Sequence, residues 1–98
     1  MRLLRSLIEE NGYETDCKEV FGTMPKADRA LLGITWALAR AIDLSEYPLV
    51  RETSAGTLRA AKTLPLVAIP AVVVYFTVSE DDQTVFLHGA APAMPSDD

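Results

Sequence analysis

The stretch Ala71–Val78 constrains the fold more than any other part of the chain. It reads Ala-Val-Val-Val-Tyr-Phe-Thr-Val and carries no charged side chain. Branched and aromatic residues at successive positions favour an extended strand, because their stiff side chains pack well on a pleated surface. Because apolar and polar residues do not alternate, both faces of this strand should be covered, and we predict a central strand.

A second strand should follow directly and form a hairpin with the first. The polar segment Ser79–Gln83 has the composition of a solvated turn, and Thr84–His88 again reads as a strand. Two such runs joined by a short polar segment are typical of a β-hairpin.

The strongest helical pattern lies at Lys26–Ile42, with Pro25 in its first turn, where a missing N–H is tolerated. Apolar residues recur there at spacings of three and four, with Leu32 and Trp36 widening the stripe. We interpret Trp36 as helix packing, with exposed contact to a partner as the alternative.

The first quarter of the chain is harder to assign. Residues 2–11 favour a helix, and a hairpin turn at Asn11-Gly12 is the alternative. Tyr13–Phe21 alternates in part and predicts a half-exposed strand. Together with a strand at Thr57–Thr63 and an apolar loop at Leu64–Pro70, these elements predict an α+β domain.

The expected architecture is two helices packed on one face of a small antiparallel sheet of three to four strands. We expect residues 1–90 to form this single domain and residues 91–98 to be a disordered acidic tail. The length supports a single domain, because 98 residues can bury one hydrophobic core without disulfides or a structural metal.

Charge and composition narrow the functional classes. The net charge of −5 argues against an extended basic surface for nucleic acid, although a local basic patch remains compatible with it. Glu9 and Glu10 interrupt the apolar start before a signal-peptide core develops, and no apolar run is long enough for a membrane span. With Cys17 as the single cysteine, we expect a cytoplasmic protein without disulfides.

Few residues offer chemistry. The sequence contains no phosphate-binding glycine loop and no metalloprotease motif, and its acidic runs are typical of solvated turns. We predict that Cys17 is a small buried side chain and that Tyr75 belongs to the core. His88, the single histidine, is predicted at the end of a strand, where it is either a structural residue, a general base or a nucleic-acid contact.

Arg51, Arg59 and Lys62 form the basic cluster between the main helix and the hairpin. Arg59 and Lys62 lie three apart, so on a regular strand they face opposite ways. The cluster is either scattered solubilising charge or a small anion or phosphate site.

The order of these elements resembles the RelE/ParE toxin superfamily of bacterial type II toxin–antitoxin modules. The resemblance runs from Met24 to His88. It rests on the helix Pro25–Ile42 and the short loop that follows it to Pro48. It rests also on Ala55-Gly-Thr-Leu-Arg-Ala60, on Val72-Val-Val-Tyr75 after a loop, and on Val85-Phe-Leu-His88. The family often has arginine where this chain has Val72, and a basic residue or tyrosine where this chain continues with Gly-Ala-Ala-Pro after His88.

The resemblance implies a toxin component bound by a cognate antitoxin, in a hetero-oligomer. Family members cleave messenger RNA, usually on the ribosome, or inhibit DNA gyrase. If this chain is an endoribonuclease, His88 and Arg59 would be catalytic, and Arg51, Arg59 and Lys62 would hold phosphate, without metal or other cofactor. The departures make this a degenerate site. A gyrase-inhibiting toxin or a non-catalytic protein-binding domain on the same scaffold are the alternatives.

Overall fold

The computed structural model describes residues 4–41, 43–54, 56–63 and 71–93 of the chain. Three helices and a five-stranded sheet form the described part. The elements are β1 (Ser6–Glu9), α1 (Asn11–Phe21), α2 (Met24–Ala30), α3 (Leu32–Arg40), a short 3-10 turn (Leu44–Glu46), β2 (Leu49–Thr53), β3 (Gly56–Lys62), β4 (Val72–Val78) and β5 (Thr84–Pro92). The predicted loop at Leu64–Pro70 lies outside the described residues.

The sheet has the strand order β1-β5-β4-β3-β2. The predicted central strand is β4, and β4 and β5 form the predicted antiparallel hairpin. The α+β class is therefore confirmed. The sheet is larger than expected and is mixed rather than antiparallel, because β1 runs parallel to β5 at one edge.

The N-terminal assignments are wrong in both places. Ser6–Glu9 is a strand rather than part of a helix, because it docks on β5, and the Ser6 N–H donates to the Gln83 carbonyl at 2.8 Å. Tyr13–Phe21 belongs to α1 rather than to a strand. Tyr13 and Cys17, four residues apart, are both buried on one face of that helix. The segment therefore follows the i, i+4 spacing of its buried residues, which is helical, and not the partial alternation that predicted a strand.

The predicted long helix is divided in two. The break falls at Leu31, a buried residue with φ −99° and ψ 4° that lies between α2 and α3. Pro25 lies in the first turn of α2 as predicted, and the Thr23 side chain accepts a hydrogen bond from the Lys26 N–H at 3.3 Å. Leu32 and Trp36 lie outside the core, at 63% and 56% exposure.

The core lies between the helices and one face of the sheet. Alternate residues of the central strands point into it and meet buried side chains of the helices. Its largest fully buried members are Tyr13, Phe76, Leu31, Leu38 and Leu87. The interior is therefore built from one helical layer against one face of the sheet, which leaves the other sheet face without a described helix.

A β-bulge interrupts the pairing of β4 and β5. Tyr75 lies opposite Gly89 and Phe76 opposite Leu87, so that His88 is the extra residue of β5. The strand continues to Pro92, which makes His88 an internal residue and not the strand end that the sequence predicted. Residues 91 and 92 of the predicted tail are thus paired in the sheet, and residues 94–98 lie outside the described chain.

Helix α1 closes the edge of β5 beyond the end of β1. The Asp16 carboxylate accepts a hydrogen bond from the Ala90 N–H at 2.9 Å. A methyl carbon built at Gly12 would lie only 2.9 Å from the His88 carbonyl oxygen. The first turn of α1 therefore touches the backbone of the bulge, and glycine permits that approach.

We expect Gly12→Ala to destabilise the protein, although alanine is the better helix former by about 1 kcal/mol. The added methyl must push α1 away from β5, and overpacking of this kind costs about 1–3 kcal/mol. Gly33→Ala in α3 is the matched control, because no atom lies within 4 Å of its built methyl carbon. Urea unfolding should show a lower midpoint for Gly12→Ala and an equal or higher midpoint for Gly33→Ala; the same direction in both variants would contradict the packing argument.

Candidate functional site

The strand register sorts the side chains onto two faces of the sheet. Phe76 belongs to the core, so its neighbour Thr77 and the residue opposite, Phe86, point away from the helices. We call this side of the sheet the open face. Its members on the described strands include Ile8, Arg51, Leu58, Ala60, Lys62, Val73, Tyr75, Thr77, Phe86 and His88.

A pocket of about 230 Å³ lies on the open face. Four neighbouring strands, β2, β3, β4 and β5, contribute residues to it. Its lining consists of Arg51, Thr53, Ser54, Leu58, Thr77 and His88. The pocket therefore brings together two of the residues singled out from the sequence, Arg51 and His88.

His88 is oriented by a buried hydroxyl. The Thr77 Oγ1 lies 2.7 Å from His88 Nε2, and Thr77 is only 1% exposed. This hydrogen bond engages Nε2, whereas Nδ1 forms no hydrogen bond with the residues that the structure describes. The Phe86 ring lies beside the imidazole, with 6.5 Å between the ring centroids. Sequence reasoning did not single out Thr77, because a threonine inside an apolar strand carries no signal of its own.

Arg59 lies on the helix side of the sheet, opposite Phe76. Its Nη1 donates to the Ser45 carbonyl at 3.2 Å and to the Tyr47 carbonyl at 2.8 Å. The structure therefore does not bring Arg59 together with His88. Instead, Arg59 ties the segment after α3 to the sheet.

Lys62 shares the open face with Arg51 and His88, as the odd spacing from Arg59 requires. It lies opposite Val73, four residues along β4 from Thr77. At about 3.3 Å per residue this is roughly 13 Å from the pocket. Lys62 is thus a separate point of positive charge on the same surface, and its side chain is exposed.

The open face differs in charge from the rest of this acidic chain. Among the residues of the described strands, no Asp or Glu side chain belongs to it. The two acidic residues of the described strands, Glu9 and Glu52, lie opposite Leu87 and Thr57 on the helix side. The other described carboxylates lie on the helices or on connecting segments. The open face therefore carries a local positive charge despite the net charge of −5.

A second pocket, of about 300 Å³, lies where β1 and β5 meet the helices. Four leucines line it, together with Tyr13 and the carboxylates of Glu9 and Asp28. The pKa of Glu9 is raised by burial first and then by the negative charges of Asp28 and Glu14. Sequence reasoning missed this pocket, because it placed Glu9 on a helix and Tyr13 on a strand. Glu9 and Asp28 line the pocket and remain exposed to solvent.

Cys17 and the acidic groups do not form a reactive centre. Burial raises the pKa of the Cys17 thiol, which has no exposed surface, and so keeps it in the unreactive protonated form. Within the described ranges, no group of three or more His, Cys, Asp or Glu residues is arranged to hold a metal ion. No described helix has the length and apolar character that crossing a membrane would require.

Comparisons with known proteins leave the family as a prediction. No protein-family model matches the chain, and no curated protein or solved structure matches it significantly. Any function must therefore be argued from the geometry and charge of the open face.

Proposed function

We propose that this protein is a RelE/ParE-like toxin component whose open face binds the phosphate backbone of single-stranded RNA. The observation that carries the proposal is the placement of Arg51, Lys62 and His88 on one sheet face to which the described strands contribute no carboxylate. A small sheet with helices on one face is also the architecture that the resemblance implies, although the resemblance described two helices and an antiparallel sheet. Binding to a cognate antitoxin belongs to the same proposal.

The side chains of the open face match the needs of single-stranded RNA. Arg51 and Lys62 supply separated positive charges for phosphates, and removal of such contacts weakens binding in a salt-dependent way. Phe86, His88 and Tyr75 supply aromatic rings on the same surface, and such rings stack on unpaired bases.

Cleavage would depend on His88 and Arg51. Attack by a ribose 2′-hydroxyl needs a base, a group that stabilises the charged phosphorane and a proton donor. His88 Nδ1 would take the proton of the 2′-hydroxyl as its oxygen attacks phosphorus, and the guanidinium of Arg51 would stabilise the negative charge. The proton gained by His88 would then pass to the leaving 5′-oxygen as the P–O bond breaks. Arg59 is not part of this mechanism, because its guanidinium is bonded on the other side of the sheet.

Replacing the open-face cations should weaken RNA binding. We expect Arg51→Gln and Lys62→Gln each to lower the affinity for a fluorescently labelled single-stranded oligoribonucleotide, and to reduce the slope of log affinity against log salt by about one. Fluorescence anisotropy over a series of salt concentrations measures both quantities.

Lys18→Gln is the matched control, because Lys18 is exposed on α1, on the helix side. It should leave both the affinity and the salt slope unchanged. An effect of Lys18→Gln equal to that of Arg51→Gln would show non-specific attraction and would overturn the assignment of the face.

Induced expression in bacteria distinguishes the modes of action. If the wild-type chain arrests growth and cleaves messenger RNA, and the His88→Gln variant does neither, the protein is an endoribonuclease. Growth arrest with intact messages would favour the gyrase-inhibiting alternative, and normal growth would favour a non-toxic binding domain.

A further inference from the structure

We infer that the pocket between β1 and the helices is a docking site for a basic side chain, Lys or Arg, carried by an apolar segment of a partner polypeptide. The pocket is separate from the open face, because its lining residues Leu7, Glu9 and Leu87 point to the helix side of the sheet. The inference is therefore independent of the proposed RNA binding.

The walls of the pocket suit an apolar stem that ends in a cation. Leu7, Leu31, Leu32 and Leu87 supply apolar surface, and Glu9 and Asp28 are its ionisable carboxylates. Lysine and arginine have this combination of apolar stem and charged head. No basic side chain lines the pocket, so an entering ammonium or guanidinium group would find two carboxylates and no like charge.

The electrostatics around Glu9 favour the same occupant. Burial and the negative charges of Asp28 and Glu14 disfavour the Glu9 carboxylate and raise its pKa. The titratable groups that interact with Glu9 come from α1 (Tyr13, Glu14 and Cys17) and from α2 (Asp28). A bound cation would offset this repulsion, so binding must lower the pKa of Glu9.

The apolar surface around the pocket points to a polypeptide rather than a free amine. Leu32 lines the pocket and is nevertheless 63% exposed, and Trp36 lies one turn further along α3 at 56% exposure. Residues four apart lie side by side on a helix, so the two form a continuous strip. The guanidinium of Arg40 covers part of the Trp36 ring at 4.1 Å from its centroid. A segment with apolar residues beside its basic residue would cover this strip together with the pocket.

The test uses two blocked tripeptides, acetyl-Leu-Lys-Leu-amide and its matched control acetyl-Leu-Gln-Leu-amide, titrated into the full chain labelled for methyl NMR. The lysine peptide should shift the methyl signals of Leu7, Leu31, Leu32 and Leu87 with a dissociation constant of about 1 mM. It should also lower the pKa of Glu9, followed through the side-chain carboxyl carbon. The glutamine peptide should bind about threefold to fivefold more weakly, because its ion pair with the two exposed carboxylates is lost.

The double variant Glu9→Gln, Asp28→Asn should also bind the lysine peptide about threefold to fivefold more weakly. Equal binding of the two peptides to the wild-type chain would overturn the inference, and this comparison does not depend on the folding of any variant. Shifts confined to other methyl groups, or no shift at about 10 mM peptide, would overturn it as well. Binding of hexylamine as tight as that of the lysine peptide would show a free-amine site and refute the polypeptide partner.

Discussion

Replacing Arg5 with Met should lower the free energy of unfolding by about 3–5 kcal/mol. The Arg5 side chain is only 2% exposed and joins three parts of the chain. Its Nη1 donates to the Leu38 and Ala41 carbonyls at the end of α3, at 3.2 and 2.6 Å. Its Nε and Nη2 donate to the two carboxylate oxygens of Asp82, at 3.2 and 2.7 Å.

The expected loss is large because one buried guanidinium donates to two carbonyls at the end of α3 and to the Asp82 carboxylate. The last carbonyls of a helix have no partner within the helix, and a cation at that end also interacts favourably with the helix dipole. Methionine keeps most of the volume of arginine and supplies no donor, so the carbonyls of Leu38 and Ala41 would lose these bonds. Asp82 would suffer less, because its side chain is 59% exposed and can be solvated.

Chemical unfolding in urea measures this effect. Arg29→Met is the matched control, because Arg29 is an exposed arginine on α2, and changes at such positions usually stay within about 0.5 kcal/mol. Arg5→Lys should also lose most of the stabilisation that Arg5 provides, since an ammonium group cannot form the bidentate pair with Asp82. Equal midpoints for Arg5→Met and Arg29→Met would refute a structural role for this arginine.

Phe76→Ala should destabilise the protein by about 3–5 kcal/mol. Phe76 lies on the central strand with no exposed surface. Its ring forms a T-shaped pair with the Tyr47 ring, with 5.6 Å between the centroids, and Arg59 lies opposite it on β3. Truncation would leave a cavity between the sheet and the segment after α3, which the surrounding core can fill only in part.

Phe86→Ala is the control, because it removes the same side chain from the open face. Phe86 lies opposite Thr77 and is only partly buried, so that its truncation leaves a dent open to water rather than a cavity. The loss should be clearly smaller than for Phe76→Ala in the same urea or thermal unfolding experiment. Equal losses would contradict the arrangement in which the helices cover the Phe76 side of the sheet and leave the Phe86 side open.

Local sequence patterns predicted those elements whose residues interact with near neighbours. The β4–β5 hairpin is evident from two apolar runs and a polar turn, because the pairing partners are adjacent in the chain. The start of α2 is equally local, since a proline in the first turn and the Thr23 cap act within one turn of helix. The assignment of a single helix across Leu31 was wrong. The apolar stripe continues from α2 into α3, so the spacing of apolar residues does not reveal the break between the two helices.

Long-range contacts decided the rest. Four residues at Ser6–Glu9 become a strand only because β5 is there to pair with them, and α1 forms where a sheet edge and core receive Tyr13 and Cys17. The site follows the same division. The odd spacing of Arg59 and Lys62 already predicted opposite faces, whereas the meeting of Arg51, Thr77 and His88 depends on strand order and on the bulge at His88. Residue type and spacing determine local conformation, but the face on which a side chain acts is decided by strands that are distant in sequence and adjacent in the sheet.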